Sequence, residues 1–335
     1  MQDSMITVAV DAIGGDHGIS VVGPGCLAAL KENPQLNILL CGPAELVDEW
    51  AAKHERIQAV PCTEEITMDE HPANAVRKKK DSSIVVGCRL VKEGQAQGFF
   101  SAGSTGACLA AATLVTGRIK GVARPAMATI IPSPVRPVVM CDVGANADCK
   151  PEYLVQFAQM ASIYTEKLLG RENPTVALLN IGSEETKGST FAQESYALLK
   201  EQVPNFVGNG EGADLLAGRF DVFVTDGFTG NVAIKILEST AKELFGAMKG
   251  VFKKNVLSTL AAGVLKGGLY ELKDSVSPDS YGGAPLLGVK GACLVGHGSS
   301  NETAIKNGIL TTARTVSMQV SELIAQTVNS SATNS

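Results

Sequence analysis

The sequence is poor in aromatic residues, 5% of 335, and lacks the motifs that would decide its chemistry at once. No window of roughly 18 residues is apolar and free of charge, which excludes a membrane-spanning helix. The 29 basic residues are outnumbered by 34 acidic ones, so the basic face of a general nucleic-acid binder is missing. The eight cysteines fall at no CxxC or Cys/His spacing, and no metal is expected. With no leader ahead of them, reduced thiols of the cytosol are the default expectation. Cys26, Cys108 and Cys293 sit in apolar runs and read as packing residues. There is no GxxxxGK[ST], and Gly182 to Ser189 has glycine and lysine in the wrong order for a phosphate loop. A GxSxG elbow, an HExxH helix and a GxGxxG after the first strand are also missing. The spacing of Gly208, Gly210 and Gly212 is too weak to restore a dinucleotide site, so no cofactor is expected.

What is present is apolar content of 45% and 35 glycines, a composition that suits a large α/β domain. The pattern alternates strand and helix. Strands are predicted at Met5–Val10, Asn37–Leu40, Ile57–Val60, Phe99–Phe100, Thr175–Asn180, Phe220–Thr225 and Ala292–Val295. Helices are predicted from about Ser20 to Leu30, after Gly42-Pro43 through Trp50, and over Ala107–Thr116, Tyr153–Leu169, Phe191–Lys200 and Asn231–Met248. Asp81-Ser82-Ser83 reads as the cap of a helix over Ile84–Lys92. The span Thr63–Lys80 shows no period and ends in the basic run Arg77-Lys78-Lys79-Lys80, which reads as a solvated face; the competing reading is that it reaches the mouth of the loop at Ser101–Gly106. Two apolar runs, Ala126–Ile131 and Pro137–Cys141, split by a proline-rich turn, predict an antiparallel hairpin. Ser299–Val328 reads as one long final helix, followed by a frayed tail over Asn329–Ser335. The expected organisation is a single α/β domain, largely parallel, covered on both faces, with a protruding segment at about 245–290 for dimerisation or membrane contact.

The glycines mark the loops. Ser101-Ala102-Gly103-Ser104-Thr105-Gly106 joins a buried strand to an Ala-rich helix, with Ser104 or Thr105 as N-cap. Free N–H groups at such a helix start form a natural anion site; the competing reading is a tight turn with no ligand. The same layout returns at Asp11–Asp16, Asp142–Asn146, Asn180–Ser183, Asp226–Asn231 and Gly296–Ser300. In an open α/β sheet these loops would line one crevice, which points to a phosphate-bearing ligand. Backbone donors, one lysine and one amide can hold phosphate and polarise a carbonyl without a covalent nucleophile. A lone His or Asp in such a loop is more often a turn stabiliser than a catalyst.

One segment breaks the alternation. Gly250–Leu269 is apolar and basic, and Val256, Leu257, Leu260, Ala261, Val264 and Leu265 share one helical face. It is too short to span a bilayer but suits an interfacial helix; a core or dimer-interface helix is the competing reading.

Taken in order, Asp11–His17, Lys78–Ser83, Ser101–Ala107, Asp142–Asn146, Thr225–Asn231 and Gly282–Gly288 resemble the bacterial phosphate acyltransferase family over nearly the whole chain. The family usually carries a proline soon after the histidine, where this chain has Ile19–Val22. The resemblance implies a three-layer α/β/α fold with a mostly parallel sheet, similar to isocitrate and isopropylmalate dehydrogenases and phosphate acetyltransferase. It implies transfer of an acyl group from acyl carrier protein to inorganic phosphate, for phospholipid synthesis. A homodimer is also implied, cytoplasmic and attached to an anionic membrane surface, near a membrane acyl-phosphate:glycerol-3-phosphate acyltransferase. Alternatives are an acyl-CoA:phosphate transferase, a decarboxylating dehydrogenase and a non-catalytic scaffold. The expected catalytic residues are Lys187, Asn231, Asp226 and His17. Substrate binding is expected at Asp11, Gly14, Gly15, Asp16, Ser101, Gly103, Ser104, Thr105, Gly106, Asn146, Gly182, Gly227, Gly230 and His297.

Overall fold

The computed structural model describes residues 5–133, 135–275 and 281–333. Its eleven strands form one sheet. In chain order they are β1 (Ile6–Asp11), β2 (Leu36–Gly42), β3 (Ile57–Pro61), β4 (Gly98–Ser101), β5 (Ala126–Ile131), β6 (Val138–Cys141), β7 (Val176–Leu179), β8 (Phe206–Gly210), β9 (Val222–Val224), β10 (Ala284–Leu287) and β11 (Ala292–Val295). Across the sheet the order is β3-β2-β1-β4-β11-β10-β5-β6-β9-β7-β8. Pairing is parallel except at β11–β10, β10–β5 and β5–β6.

The helices are α1 (Ile19–Glu32), α2 (Ala44–Ala51), α3 (Pro72–Lys78), α4 (Ser83–Lys92), α5 (Thr105–Ala111), α6 (Pro151–Leu169), α7 (Thr190–Gln202), α8 (Asp214–Ala217), α9 (Gly227–Phe252), α10 (Val256–Ser275), α11 (Glu302–Ser317) and α12 (Val320–Thr333). Alternation along the strands decides which helices they meet. Ala9, Phe99, Cys293, Met140 and Phe223 face one apolar layer shared with α4 and α5. Val8, Val10 and Leu294 face the other side, under α1 and α11. On that second side, Val139, Val222 and Val224 lie under α6 and α12. This gives the expected three layers, helices on both faces of a mostly parallel sheet.

Several elements differ from the sequence reading. The final helix is broken at Gln319, whose φ is +53°. Ile305, Ile309 and Ala313 belong to one core cluster while Val320, Ile324 and Val328 belong to another, so a straight helix could not serve both. The helix after β4 ends at Ala111 and widens into a π-helix over Ala112–Gly117, where Thr116 Oγ1 donates to the Cys88 carbonyl at 3.0 Å. The span without period contains α3, pinned by Lys79 Nζ, which donates to the Glu65 carbonyl at 2.6 Å and to Glu70 at 2.7 Å. Within the expected cap of α4, Ser82 takes the N-cap position without a side-chain capping bond, whereas Asp81 accepts from Thr63 N and Oγ1 at 2.9 and 2.6 Å. β8 and β10 escaped the pattern, one for its polar Gly208-Asn209-Gly210 end and the other for its brevity between glycines. The β5–β6 hairpin is antiparallel as expected; Pro134 in its turn lies outside the described residues.

The helix predicted to end near Met248 runs on to Phe252, and α10 packs chiefly back on it. Leu244, Val251, Leu260, Val264 and Leu265 are exposed along this pair, Val264 at 86%. The side chains of Val256, Leu257 and Ala261 lie outside the described residues, as do residues 276–280 of the segment expected to protrude. Among the described residues no helix is long and apolar enough to cross a membrane.

Candidate active site

The six glycine loops do not share one straight rim. The three antiparallel pairings reverse the chain, so β6, β9 and β7 run opposite to β1, β4 and β11. The loops therefore fall into two groups.

The first group joins the ends of β1, β4 and β11. Ser101 Oγ donates to Asp11 Oδ2 at 2.7 Å and accepts from Gly103 N at 2.9 Å. The loops press together: a Cβ on Gly14 would lie 2.7 Å from both Asp11 Oδ2 and Gly103 N. Gly15, at φ +86°, packs against the Gly298 carbonyl, which accepts from Asp16 N at 2.8 Å. Ser104 caps α5, accepting from Ala107 N at 3.4 Å. Beside these loops lies a cavity of about 240 Å³, lined by Asp11, Gly14, Gly15, Asp16, Gly103 and Ser104 together with Glu65, Ile66, Met68, Ser83 and Ile84. Burial holds the Asp11 carboxyl above its usual range, against the opposing hydrogen bonds of Ser101, Ser83 and Ile13. His17 and Thr105 are exposed beside this group. His297 is exposed, and its Nδ1 accepts from Ser299 N at 3.2 Å and lies 2.8 Å from the Ser299 hydroxyl.

The second group joins the ends of β6 and β9. Asp142 Oδ1 accepts from Met127, Gly144 and Ala145 amides at 3.0–3.2 Å. Its Oδ2 accepts from Asn146 N and Nδ2 at 2.8 and 2.9 Å. Burial raises the Asp142 carboxyl too. Asp226 is the N-cap of α9, bonded to Thr229 N and Oγ1 at 2.8 and 2.7 Å, which occupies it structurally. Gly227 and Gly230 let α9 approach: a Cβ on Gly230 would lie 1.9 Å from the Asp142 carbonyl. Asn231 stands over Gly144, its amide 3.7–3.8 Å from where a Cβ there would be, with no hydrogen-bond partner among the described residues. On the neighbouring loop after β7, Lys187 packs over Gly182 and lies 3.9 Å from Glu184, both side chains largely exposed at 48% and 63%. Asn180 and Asn209 tie that loop down at 3.1 Å.

Among the described residues no hydrogen bond joins the two groups, but Ala107 and Val143 belong to the same apolar layer beneath them. Sequence reasoning left Asp142, Glu65, Ser83 and Asn209 out of the site. Asp142 carried a usable signal, since it heads a loop just as Asp11 and Asp226 do. Ser83 closes the Lys78–Ser83 motif, which carried the resemblance but no site assignment, and Glu65 comes from a stretch whose proximity only the fold reveals.

Residues 6–323 match the family model described as "Fatty acid synthesis protein". The phosphate acyltransferase of Desulfitobacterium hafniense (strain Y51) is 48% identical over 309 residues, covering 91% of this chain and 92% of that one. The phosphate acyltransferase of Brevibacillus brevis is 44% identical over 324 residues, covering 96% and 97%. Among solved structures, a phosphotransacetylase from Streptococcus pyogenes superposes with a TM-score of 0.61 at 18% identity, covering 95% of each chain. A branched-chain phosphotransacylase from Enterococcus faecalis V583 gives 0.58 at 16%, covering 93% of this chain and 99% of that one. At these identities the structural likeness concerns the fold.

Proposed function

Because the chain belongs to the phosphate acyltransferase family, and so transfers acyl groups to phosphate, we propose that its donor is the thioester of an acyl carrier protein and its product an acyl phosphate for phospholipid synthesis. The observation that carries the site assignment is the unpartnered amide of Asn231 at the start of α9, beside a loop held rigid by Asp142. A donor free of internal partners, beside a loop that is itself held in place, suits a developing thioester oxyanion.

Both loop groups serve one cleft in this reading. Neighbouring strands turn by about 20–25° each. Five steps separate β4 from β9, so the accumulated turn is about 100–125°. Oppositely running strands then direct their carboxyl ends within about a right angle of each other. Phosphate rests on the amides of the Ser101–Gly106 turn, near Gly14 and Gly15, with Lys187 and His297 as cationic and hydrogen-bonding partners. Phosphate is already anionic, so the site must position it rather than deprotonate it. A phosphate oxygen bonds to the thioester carbon and the carbon–sulfur bond breaks. The departing thiolate takes its proton from the Asp11 carboxyl, which solvent recharges. His17, exposed next to Asp16 of the same loop, is within the first loop group, whereas Asp226 acts only through the start of α9.

The exposed apolar residues of α9 and α10 support contact with an anionic membrane surface from the cytoplasmic side, as a homodimer, near the membrane enzyme that consumes acyl phosphate. Each lysine near such a surface contributes on the order of 1 kcal/mol. Incubating the purified protein with acyl carrier thioester and inorganic phosphate should give acyl phosphate, seen by phosphorus NMR, together with free carrier thiol. A thioester that stays intact, or that hydrolyses without acyl phosphate, overturns the reading.

A further inference from the structure

From Gly94 to Cys141 the chain has no acidic residue, although the protein as a whole is net acidic. Within this stretch, Arg118, Lys120 and Arg124 are exposed on the loop between the π-helix and β5. Lys290 joins them: its amide donates to the Gly117 carbonyl at 2.9 Å, and Arg118 bridges Val289. None of the four forms an ion pair among the described residues; the one side-chain hydrogen bond, from Arg118 to the Ala123 carbonyl, leaves its charge unneutralised. The facing helix α6 fixes the loop through Gln156, which accepts from Ala123 N at 2.8 Å and donates to Gly121 O at 3.0 Å, and carries a single acid in its first turn, Glu152.

The loop connects directly to the second loop group. The Pro125 carbonyl, next to Arg124, accepts from Asn146 Nδ2 at 2.8 Å. The Asn146 carbonyl in turn accepts from Gly227 N at 2.8 Å, one turn before Asn231. We propose that Arg118, Lys120, Arg124 and Lys290 form the docking surface for an acidic carrier protein, placing its thioester arm against Asn231. This rests on the carrier-thioester reading above and says where the carrier binds.

An anionic membrane is the other surface such cations could meet, and the length of α9 argues against it. Its 26 residues span about 39 Å at 1.5 Å per residue. The cations lie near its start; Phe228, Val232 and Ile236 are exposed there too, but Val251 and the α10 residues Leu260, Val264 and Leu265 are exposed toward the far end. A membrane touching those tips would be several screening lengths, each about 8–10 Å, from the cations. A soluble acidic partner is under no such restriction, and attraction between opposite patches chiefly speeds encounter and fixes register.

The test is the triple charge reversal Arg118→Glu, Lys120→Glu, Arg124→Glu, assayed with phosphate and two donors. One donor is the acyl carrier thioester; the other is a short, neutral acyl N-acetylcysteamine thioester. The expected result is a rise of about tenfold or more in KM for the carrier, with loss of its salt dependence, and unchanged turnover of the small thioester. Unchanged KM for the carrier, or an equal loss with both donors, overturns the proposal. Loss of flotation with anionic vesicles at unchanged carrier KM assigns the cations to membrane and also overturns it. Absence of acyl phosphate from either donor with the unaltered protein would instead sink the underlying function.

Discussion

Asp11 closes β1 and Asp142 follows β6; each is buried and each heads a glycine loop, yet their partners differ. Asp142 accepts five hydrogen bonds, and both oxygens are saturated by neighbouring amides. Asp11 receives Ser101 Oγ at 2.7 Å and Ile13 N at a longer 3.3 Å, and lines the cavity. In the proposed mechanism the same residue at the same place in a repeated pattern is a scaffold in one loop group and a reagent in the other. What separates them is the number of donors aimed at the carboxylate and whether space is left in front of it.

The largest expected effect comes from the residue that the Asp142 scaffold positions. Asn231→Ala should lower turnover roughly a hundred- to thousandfold, as loss of one oxyanion donor typically does. The urea midpoint should stay put, since the amide has no internal partner to lose. Steady-state rates near those of the unaltered protein would leave the second loop group without a catalytic role.

Next in size is the scaffold itself. In Asp142→Asn, one oxygen becomes an N–H group facing other N–H groups, whichever way the amide turns. Leaving buried donors unmatched costs about 1–3 kcal/mol each. Urea unfolding should therefore show a loss of about 2–4 kcal/mol, and a midpoint unchanged would show that the five contacts do not organise the loop.

A smaller effect concerns pH. Burial raises both carboxyls in the folded protein. A raised folded-state pKa favours the protonated form, so this contribution to stability is full below the unfolded value of about 4 and is lost as pH rises through the folded value. Asp11→Asn removes one such group. As pH rises from about 4 through the raised folded value, its stability should decline less than that of the unaltered protein; parallel curves would contradict the raised Asp11 carboxyl.

The smallest effect is at the exposed loop after β7. Glu184→Gln removes a partner 3.9 Å from Lys187, with both side chains largely in solvent. Thermal unfolding should shift by no more than about 0.5 kcal/mol in equivalent stability. Freed of its acid, Lys187 should bind phosphate somewhat more tightly, seen as a lower KM.

The strand and helix alternation was legible because apolar runs such as Val8–Val10 and Val138–Cys141 are buried on both faces and carry their own signal. The loops were legible because their glycines are required by contact: Gly14 against Asp11, Gly230 against the Asp142 carbonyl. The division of those loops between oppositely running strands was not. It depends on β10, a four-residue strand whose direction no local pattern encodes. The break at Gln319 was hidden for a similar reason, because Val316 and Val320 continue a helical spacing while packing into different cores. Asp226 drew attention as a catalyst, but its spacing to Thr229 is that of a helix cap.

The decisive variant is Asp11→Asn, measured for both turnover and unfolding. An amide can largely satisfy this site: its oxygen accepts from Ile13 N and its nitrogen donates to Ser101 Oγ, which still accepts from Gly103 N and can turn its own proton toward the neighbouring Cys108 sulfur. The expected result is an unfolding free energy in urea within about 1 kcal/mol of the unaltered protein and a rate of acyl phosphate formation lowered by about a hundredfold. Full activity, or a loss of stability as large as that of Asp142→Asn, would contradict the division of labour between the two aspartates.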